Sequence, residues 1–361
     1  MIPQAAPGRR LDEFRAAIMH AITGVFDRGI FLLGPETKAF EAEFATSAGL
    51  RHCVAVGSGT DALALALRAA GLRAGDEVIT VSMTAVATAV AIEDAGGVPR
   101  FVDVDPRTRC MDPAALAAAI GPRTTAIVPV HLHGFAAPME EIMTIARRAN
   151  LLVIEDCAQA QSAIYRGRQV GTFGHAAAFS FYPTKNLGAA GDAGAVATND
   201  AAIAARVRSM RVYGWDEQRN AMGPGSNRRI DEIQAAILRV LLPQLDAQNA
   251  ERRLLAAEYR AKLVGCALDL PPDDPGSVYH QFAPAVDGRD ALREALKRAG
   301  IDTGIHYPLG AHQQFRFASG APSLPVTEGL ARRLFSLPIQ PEVARGHVDR
   351  ICATIARELR P

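Results

Sequence analysis

Net charge is almost missing from this chain. Its 39 Lys and Arg stand against 38 Asp and Glu, leaving +1 over 361 residues. That balance gives no electrostatic reason to expect a nucleic acid or a membrane surface as partner. Long apolar runs are missing too. Charge interrupts every one of them well before the ~18 residues a bilayer crossing needs. The start, Met1-Ile2-Pro3-Gln4, has no basic region followed by an apolar core, so no secretory leader is expected. Cysteine is sparse: Cys53, Cys110, Cys157, Cys266 and Cys352 are scattered and form no CxxC pair. An odd, dispersed set reads as reduced thiols in a cytoplasm, not as a disulfide framework or a zinc site. Repeats and low-complexity segments are absent as well. What remains is an ordinary globular composition, 49% hydrophobic and 21% charged, long enough for one large or two unequal domains.

From about residue 50 to 200 the pattern alternates strand and helix. Short β-rich runs are expected at Cys53–Val56, Glu77–Val81, Arg100–Val104, Ala126–Val130, Leu151–Ile154, Ala177–Phe181 and Ala195–Thr198. Helices are expected between several of them, at Ala62–Ala70, Ala85–Ala95, Pro113–Ile120 and Met139–Ala149. Such alternation predicts an α/β fold: a mainly parallel seven-stranded sheet flanked by helices, with ligands at the carboxyl ends of the strands. After residue 228 the texture changes. Arg229–Val264 is helix-rich, and Pro271-Pro272-Asp273-Asp274-Pro275-Gly276 is the clearest loop. The remainder, with Val278–Val286, a helix at Asp290–Ala299 and a last helix near Gly346–Leu359, reads as α+β. The expected division is a large domain over 1–240 and a smaller C-terminal one over 241–361.

Three places can carry chemistry. Gly57-Ser58-Gly59-Thr60-Asp61 follows a strand and opens an Ala- and Leu-rich helix. It reads either as an anion-binding turn at a helix N-terminus or as a plain turn capped by Ser58 or Thr60. Asp156 ends the apolar run Leu151-Leu152-Val153-Ile154-Glu155-Asp156. It is either a helix cap or a carboxylate held for a partner, and Glu155 should face the other way. Lys185 lies 29 residues later in Phe181-Tyr182-Pro183-Thr184-Lys185-Asn186-Leu187-Gly188, among small and hydroxyl residues. Pyridoxal phosphate requires this combination: a lysine for its aldehyde and a carboxylate for its pyridinium nitrogen. Ser180 can add a hydroxyl to a phosphate, and Gln159 can reach the ring oxygen. His131-Leu132-His133 has strand spacing, which would put both imidazoles on one face. With no carboxylate or cysteine beside them, they read as core histidines rather than metal ligands.

These pieces, with Phe101-Val102-Asp103-Val104-Asp105-Pro106, Asp231-Glu232-Ile233-Gln234 and Ile305-His306-Tyr307-Pro308, resemble the sugar-nucleotide aminotransferases of the DegT/DnrJ/StrS group. These are pyridoxal-phosphate enzymes of fold type I. The resemblance runs nearly end to end. It implies that Lys185 is the Schiff-base lysine and proton shuttle, that Asp156 pairs with the pyridinium nitrogen, and that Gln159 pairs with the ring hydroxyl. Gly59, Thr60 and Ser180 would hold the phosphate. Asn227 would reach a phosphate in a neighbouring subunit, which implies a homodimer with shared sites. The implied reaction moves an amine from L-glutamate to a keto group on a nucleotide-linked sugar, with a dTDP-3-keto-6-deoxyhexose preferred. A 4-keto sugar, a keto-cyclitol and a non-catalytic regulatory relative are the alternatives.

The sequence also departs from the group. Relatives carry an aromatic near Ala85 that stacks on the cofactor ring, and Ala85 cannot stack. The thioether of Met83 is a candidate cover. Arg228 stands where serine is common and His133 where tyrosine is common. Relatives that dehydrate rather than transaminate have histidine in place of the lysine, so Lys185 speaks against that chemistry.

Overall fold

The computed structural model describes residues 1–359; Arg360 and Pro361, at the end of the expected C-terminal domain, lie outside them. The strands are β1 His52–Val56, β2 Glu77–Val81, β3 Val98–Val102, β4 Thr124–Val128, β5 Leu152–Asp156, β6 Ile164–Tyr165, β7 Arg168–Gln169, β8 Ala176–Ser180 and β9 Gly194–Thr198. Seven of them form one sheet in the order β1-β9-β8-β5-β4-β2-β3, while β6 and β7 make a small hairpin of their own. Every pairing in the large sheet is parallel except those of β9, which runs antiparallel to both β1 and β8. The expected mainly parallel sheet is therefore present.

Its strands sit within two residues of the expected ones, and the differences have causes. The fourth was expected to run to Val130. Pro129 has no N–H to give a ladder, so β4 stops at Val128 and Val130 pairs with Asp156 through an isolated bridge. At the edge, β3 tolerates Pro99 because its outer side has no ladder to serve. The β5 strand runs two residues beyond the expected end, which brings Asp156 into the ladder opposite Ala178.

Helix Gly59–Ala70 starts three residues before the expected one. The Ser58 hydroxyl accepts the Asp61 N–H at 3.1 Å and so fixes the first turn, and Gly71 closes the helix in the left-handed region. Its Ala and Leu side chains are buried against β5, β8 and β9. Three N-terminal helices, Pro7–Glu13, Arg15–Arg28 and Pro35–Ser47, complete the face beside β1. The last begins on a buried carboxylate: Glu232 accepts the N–H groups of Gly34, Glu36 and Thr37 at 2.8–2.9 Å. A negative charge there satisfies orphan donors and the helix dipole together. Helices Glu232–Leu241 and Leu245–Leu263 occupy the stretch expected to be helical. Beyond them the chain is less regular. Val278–Val286 pairs only through isolated bridges, Ala285 with Asp269 and Leu334, and Phe282 with Leu337. One apolar core joins Ile79, Val81 and Val153 of the sheet to Tyr259, Phe282, Leu337 and Ile355, so the C-terminal region packs directly on the sheet.

Alternation along β5 sends its two carboxylates to opposite faces, as expected. Glu155 is fully buried and accepts N–H groups from Gly171, Phe173 and Gly174 at 2.7–2.8 Å, besides the His131 ring at 3.1 Å. Asp156 is left for the other side. Replacing Glu155 with Ala strands three buried donors and a histidine. The expected outcome is a loss of about 3 kcal/mol or more of unfolding free energy, checked by urea denaturation.

Candidate active site

In the parallel part of the sheet, β2, β5 and β8 end on one side, and β1 ends there with them. The turn after β1, the segment after β2, Asp156 and Ser180 therefore converge at one edge.

Asp156 is 5% exposed, yet its carboxylate is well supplied. Oδ1 accepts the Ala158 N–H at 3.1 Å and Oδ2 accepts the Thr88 hydroxyl at 2.9 Å. Since Thr88 gives its proton to Asp156, the Thr84 hydroxyl 2.9 Å away must donate to Thr88. Two hydroxyls in series thus orient the carboxylate. Burial pushes the Asp156 pKa up; the bonds from Ala158 and Thr88 and the Lys185 charge pull it back. Lys185 lies within electrostatic reach of this carboxylate. Burial lowers its pKa to about 8, and Asp156 acts in the opposite direction. Among the described residues its amine makes no hydrogen bond and no ion pair. The Lys185 charge in turn depresses the pKa of His280 and His306, where burial is the larger cause.

The turn at Gly59 forms a second part. A Cβ on Gly59 would lie 2.6 Å from that of Ser180, and one on Gly194 would lie 2.3 Å from the Ser58 carbonyl. Three chain segments approach so closely that no side chain fits, and the N–H groups opening helix Gly59–Ala70 face the gap. Thr60 forms no side-chain hydrogen bond among the described residues. Arg228 neutralises Asp61 at 2.9 Å and Asp94 at 2.6 Å, so the acid in the first helical turn does not repel an anion. Gln159 is half committed: its Oε1 accepts the His133 N–H at 2.7 Å and its Nε2 donates to the Tyr307 hydroxyl at 2.6 Å. One amide proton remains for another acceptor. Asn227 is exposed, on a segment that pairs with Val212, and its side chain forms no hydrogen bond among the described residues.

Several expectations need correcting. Met83 is fully buried in the apolar core and has no surface to offer a ring. His131 and His133 do not share a strand face, because residues 132–134 form a tight turn with His133 at φ 59°. A carboxylate and a cysteine do accompany His131: the donor atoms of His131, Glu155 and Cys157 lie within 4.8 Å of one another. The Glu155 oxygens are already taken by backbone N–H groups, and His131 Nδ1 accepts the Ala137 N–H at 3.0 Å. Ser82, His312 and Glu328 form a Ser–His–carboxylate row at 2.5 and 3.4 Å, but Ser82 is fully buried and no substrate reaches it. A cavity of about 790 Å³ lies between β3 and the loop at 316–325 and contains none of the site residues.

The model of the DegT/DnrJ/EryC1/StrS aminotransferase family matches residues 12–356. The chain belongs to that family. Its cofactor is pyridoxal 5′-phosphate. The residues fit that group: a half-buried amine with no partner among the described residues, a supported carboxylate at the end of the neighbouring strand, and a cradle that a Cβ would fill. Over 99% of its length the chain is 46% identical to a UDP-N-acetyl-3-dehydro-alpha-D-glucosamine 3-aminotransferase of Acidithiobacillus ferrooxidans, and it covers 98% of that protein. It is 44% identical to a dTDP-3-amino-3,4,6-trideoxy-alpha-D-glucose transaminase of Streptomyces venezuelae, covering 94% of this chain and 91% of the other. The solved structure of DesV from S. venezuelae superposes with a TM-score of 0.97 at 42% identity, covering 100% of this chain and 99% of DesV.

Sequence reasoning missed Thr84 and Thr88. They follow a buried strand at a site-forming edge, four residues apart at the start of a helix, and that spacing was the available signal. It also missed the Tyr307–Gln159 bond, which only the tertiary fold creates.

The pKa of Lys185 has a direct consequence. Only the neutral amine attacks an aldehyde, so uptake of pyridoxal phosphate by the apoprotein should rise with pH through a midpoint near 8, not near the ordinary lysine value. Asp156→Asn removes the one charge that raises this pKa, and the midpoint should move lower still. Stopped-flow absorbance across pH 6–10 measures both.

Proposed function

We propose that this enzyme transfers the amino group of L-glutamate to the 3-keto carbon of a nucleotide-linked hexose, with a dTDP-3-keto-6-deoxyhexose as the preferred acceptor. The observation that carries it is the unpaired, half-buried Lys185 amine, within electrostatic reach of the twice-bonded Asp156, in a chain of this family. The position on the sugar rests on the relatives: those named for UDP- and for dTDP-sugars differ in nucleotide but share amination at carbon 3.

When bound, the cofactor supplies an electron sink that lets an amino group pass between two carbon skeletons. The chain supplies the rest. Asp156, buried and oriented by Thr88, would face the pyridine nitrogen and favour its protonated form. Gln159 offers its remaining amide proton to the ring hydroxyl. The Gly59 N–H, Thr60 and Ser180 hold the phosphate. Lys185 Nζ would hold the aldehyde, and as a free neutral amine it would take a proton from the α-carbon of the donor. A pKa near 8 suits an amine that must be neutral to accept a proton and charged to return it near neutral pH.

The working unit in this reading is a homodimer in the cytoplasm, with residues 1–240 as the cofactor-binding part and 241–361 as the smaller one. Asn227 is exposed, and so are Phe26, Ile30, Phe31 and Leu32. Leu32 bridges to Asp231, so this apolar strip adjoins the segment carrying Asn227. A second copy laid on the strip would bring Asn227 to the neighbouring phosphate.

The test is spectroscopic. Purified protein should be yellow, and L-glutamate should bleach the visible band; Lys185→Ala should lack the band. The bleached enzyme should then recover colour with 3-keto nucleotide sugars in preference to 4-keto sugars or keto-cyclitols. A protein that takes up no cofactor, or one indifferent to every keto sugar, overturns the proposal. Asn227→Ala should weaken cofactor binding roughly tenfold, as loss of one charge-assisted hydrogen bond does, without dissociating the dimer.

A further inference from the structure

The segment from Pro183 to Gly188 belongs to no strand or helix, so its carbonyls have no ladder to serve them. Gln340 Nε2 reaches the Thr184 carbonyl at 3.5 Å, and four of the others are served by a single side chain from the far end of the sequence. Arg10, on helix Pro7–Glu13, is 3% exposed. Its Nη1 donates to the carbonyls of Lys185 at 2.8 Å and Asn186 at 2.9 Å; its Nη2 donates to those of Pro183 at 2.9 Å and Gly188 at 3.4 Å. Its Nε has no partner, so all its hydrogen bonding is spent on this loop. The loop closes tightly around the guanidinium. A Cβ on Gly188 would lie 2.7 Å from Arg10 Nη2 and 2.6 Å from the Pro183 carbonyl. A planar fork suits four converging acceptors, where a lysine amine would reach fewer.

Arg10 is itself held from another quarter. Before it, Ile2 pairs in parallel with Ile301 through bonds of 2.8 and 2.9 Å to the backbone of Gly300 and Asp302. Gln4 donates to Gln281 at 3.0 Å, the Ala6 N–H donates to Gln340 at 2.7 Å, and Arg9 reaches the Glu342 carbonyl at 3.3 Å. Residues 2–10 thus form a strap with one end on the C-terminal region and the other on the lysine loop. Asn186 ties the loop to that region a second time, through Asn249, the Val278 carbonyl and His280.

We propose that Arg10 is a positioning residue for Lys185: the N-terminal strap fixes the backbone from which the lysine projects, and couples it to the C-terminal region. The inference rests on the role given to Lys185 above. Arg10 touches neither cofactor nor substrate. It acts by removing the freedom of a loop that would otherwise carry unpaired carbonyls, and placement of the Nζ atom follows from that.

Arg10→Met keeps the length and apolar stem but removes every donor; Arg10→Gln keeps two donors and loses the charge. The first readout needs no cofactor. Amide hydrogen exchange of the apoprotein should speed up in 183–189 in both variants, while exchange in β5 and β8 stays as in the unaltered protein. The second readout is the rate of glutamate-driven bleaching in the holoenzyme. At saturating L-glutamate it should fall roughly tenfold to a hundredfold, as a displaced reacting group does, with the half-saturating glutamate concentration changed less than about threefold. Should Arg10→Met fail to fold, Arg10→Gln carries both readouts. Unchanged loop exchange, or a bleaching rate within about threefold of the unaltered enzyme in a folded variant, overturns the proposal. Failure of the Lys185 assignment looks different: the unaltered protein itself would show no bleaching, and the exchange readout would still decide whether Arg10 holds the loop.

Discussion

Two carboxylates on consecutive residues of one buried strand set the terms for this structure. A strand turns successive side chains to opposite faces, so Glu155 and Asp156 cannot share a partner and neither can reach bulk water. Glu155 is satisfied by the chain itself, through three backbone N–H groups of the loop at 171–174 and the His131 ring. Asp156 receives two donors and lies within electrostatic reach of a lysine whose amine makes no hydrogen bond among the described residues. One face of β5 is thereby closed and finished. The other is left with a carboxylate and an amine that complement each other through charge but stay free to hold something between them.

The small residues around this pair are the second constraint. Strand β8 reads Ala-Ala-Ala-Phe-Ser and β9 Gly-Ala-Val-Ala-Thr, and both are buried throughout. Such strands let helix Gly59–Ala70 lie close on the sheet, which brings Gly59 against Ser180 and Gly194 against Ser58. The bulk missing there is made up one layer away, where Phe40, Phe44, Phe179 and Phe181 interlock edge to face at 5.0–5.3 Å. Tight alanine packing on one side and an aromatic cluster on the other keep the ends of β1 and β8 at fixed separation, so the cradle between them is a property of the sheet rather than of a flexible loop.

How much of this was legible depends on whether a residue announces itself locally. Asp156 and Ser180 end apolar runs and Gly57–Thr60 opens a helix, so strand and helix periodicity alone place them on one edge. Lys185 stood out because its neighbours are small and uncharged. Arg10 did not. It lies in Gly8-Arg9-Arg10-Leu11, where two adjacent arginines read as a solvated surface, and nothing within the segment says that Arg10 is buried while Arg9 is exposed. Its partners lie about 175 residues away. Met83 failed for the opposite reason: its place beside the site edge suggested a role, but it faces the core. The His131 and His133 pair failed because Pro129 ends β4 early and the strand period no longer applies beyond it.

Rigid and irregular parts of the chain meet at this edge of the sheet. Lys185, Asp156 and the Gly59 cradle sit on strand ends and loops locked by buried partners, and moving any of them strains several elements at once. Around them stand His133, from the turn after β4, and His280, His306 and Tyr307, from irregular segments of the C-terminal half. His306 bonds Ser336 at 3.2 Å, Tyr307 bonds Gln159 at 2.6 Å and stacks on His133, and His280 bonds Asn186 at 3.1 Å. Burial holds His133 and His280 neutral. A neutral imidazole both donates and accepts, which suits hydroxyls better than it suits phosphates. A sugar ring bearing hydroxyls and one carbonyl is the kind of ligand such a wall can read, and a wall built on irregular segments can be altered without disturbing the sheet. Relatives at 46% and 44% identity are named for different nucleotides but for the same carbon of the sugar, which fits one fixed centre for moving an amine beside a rim that can vary.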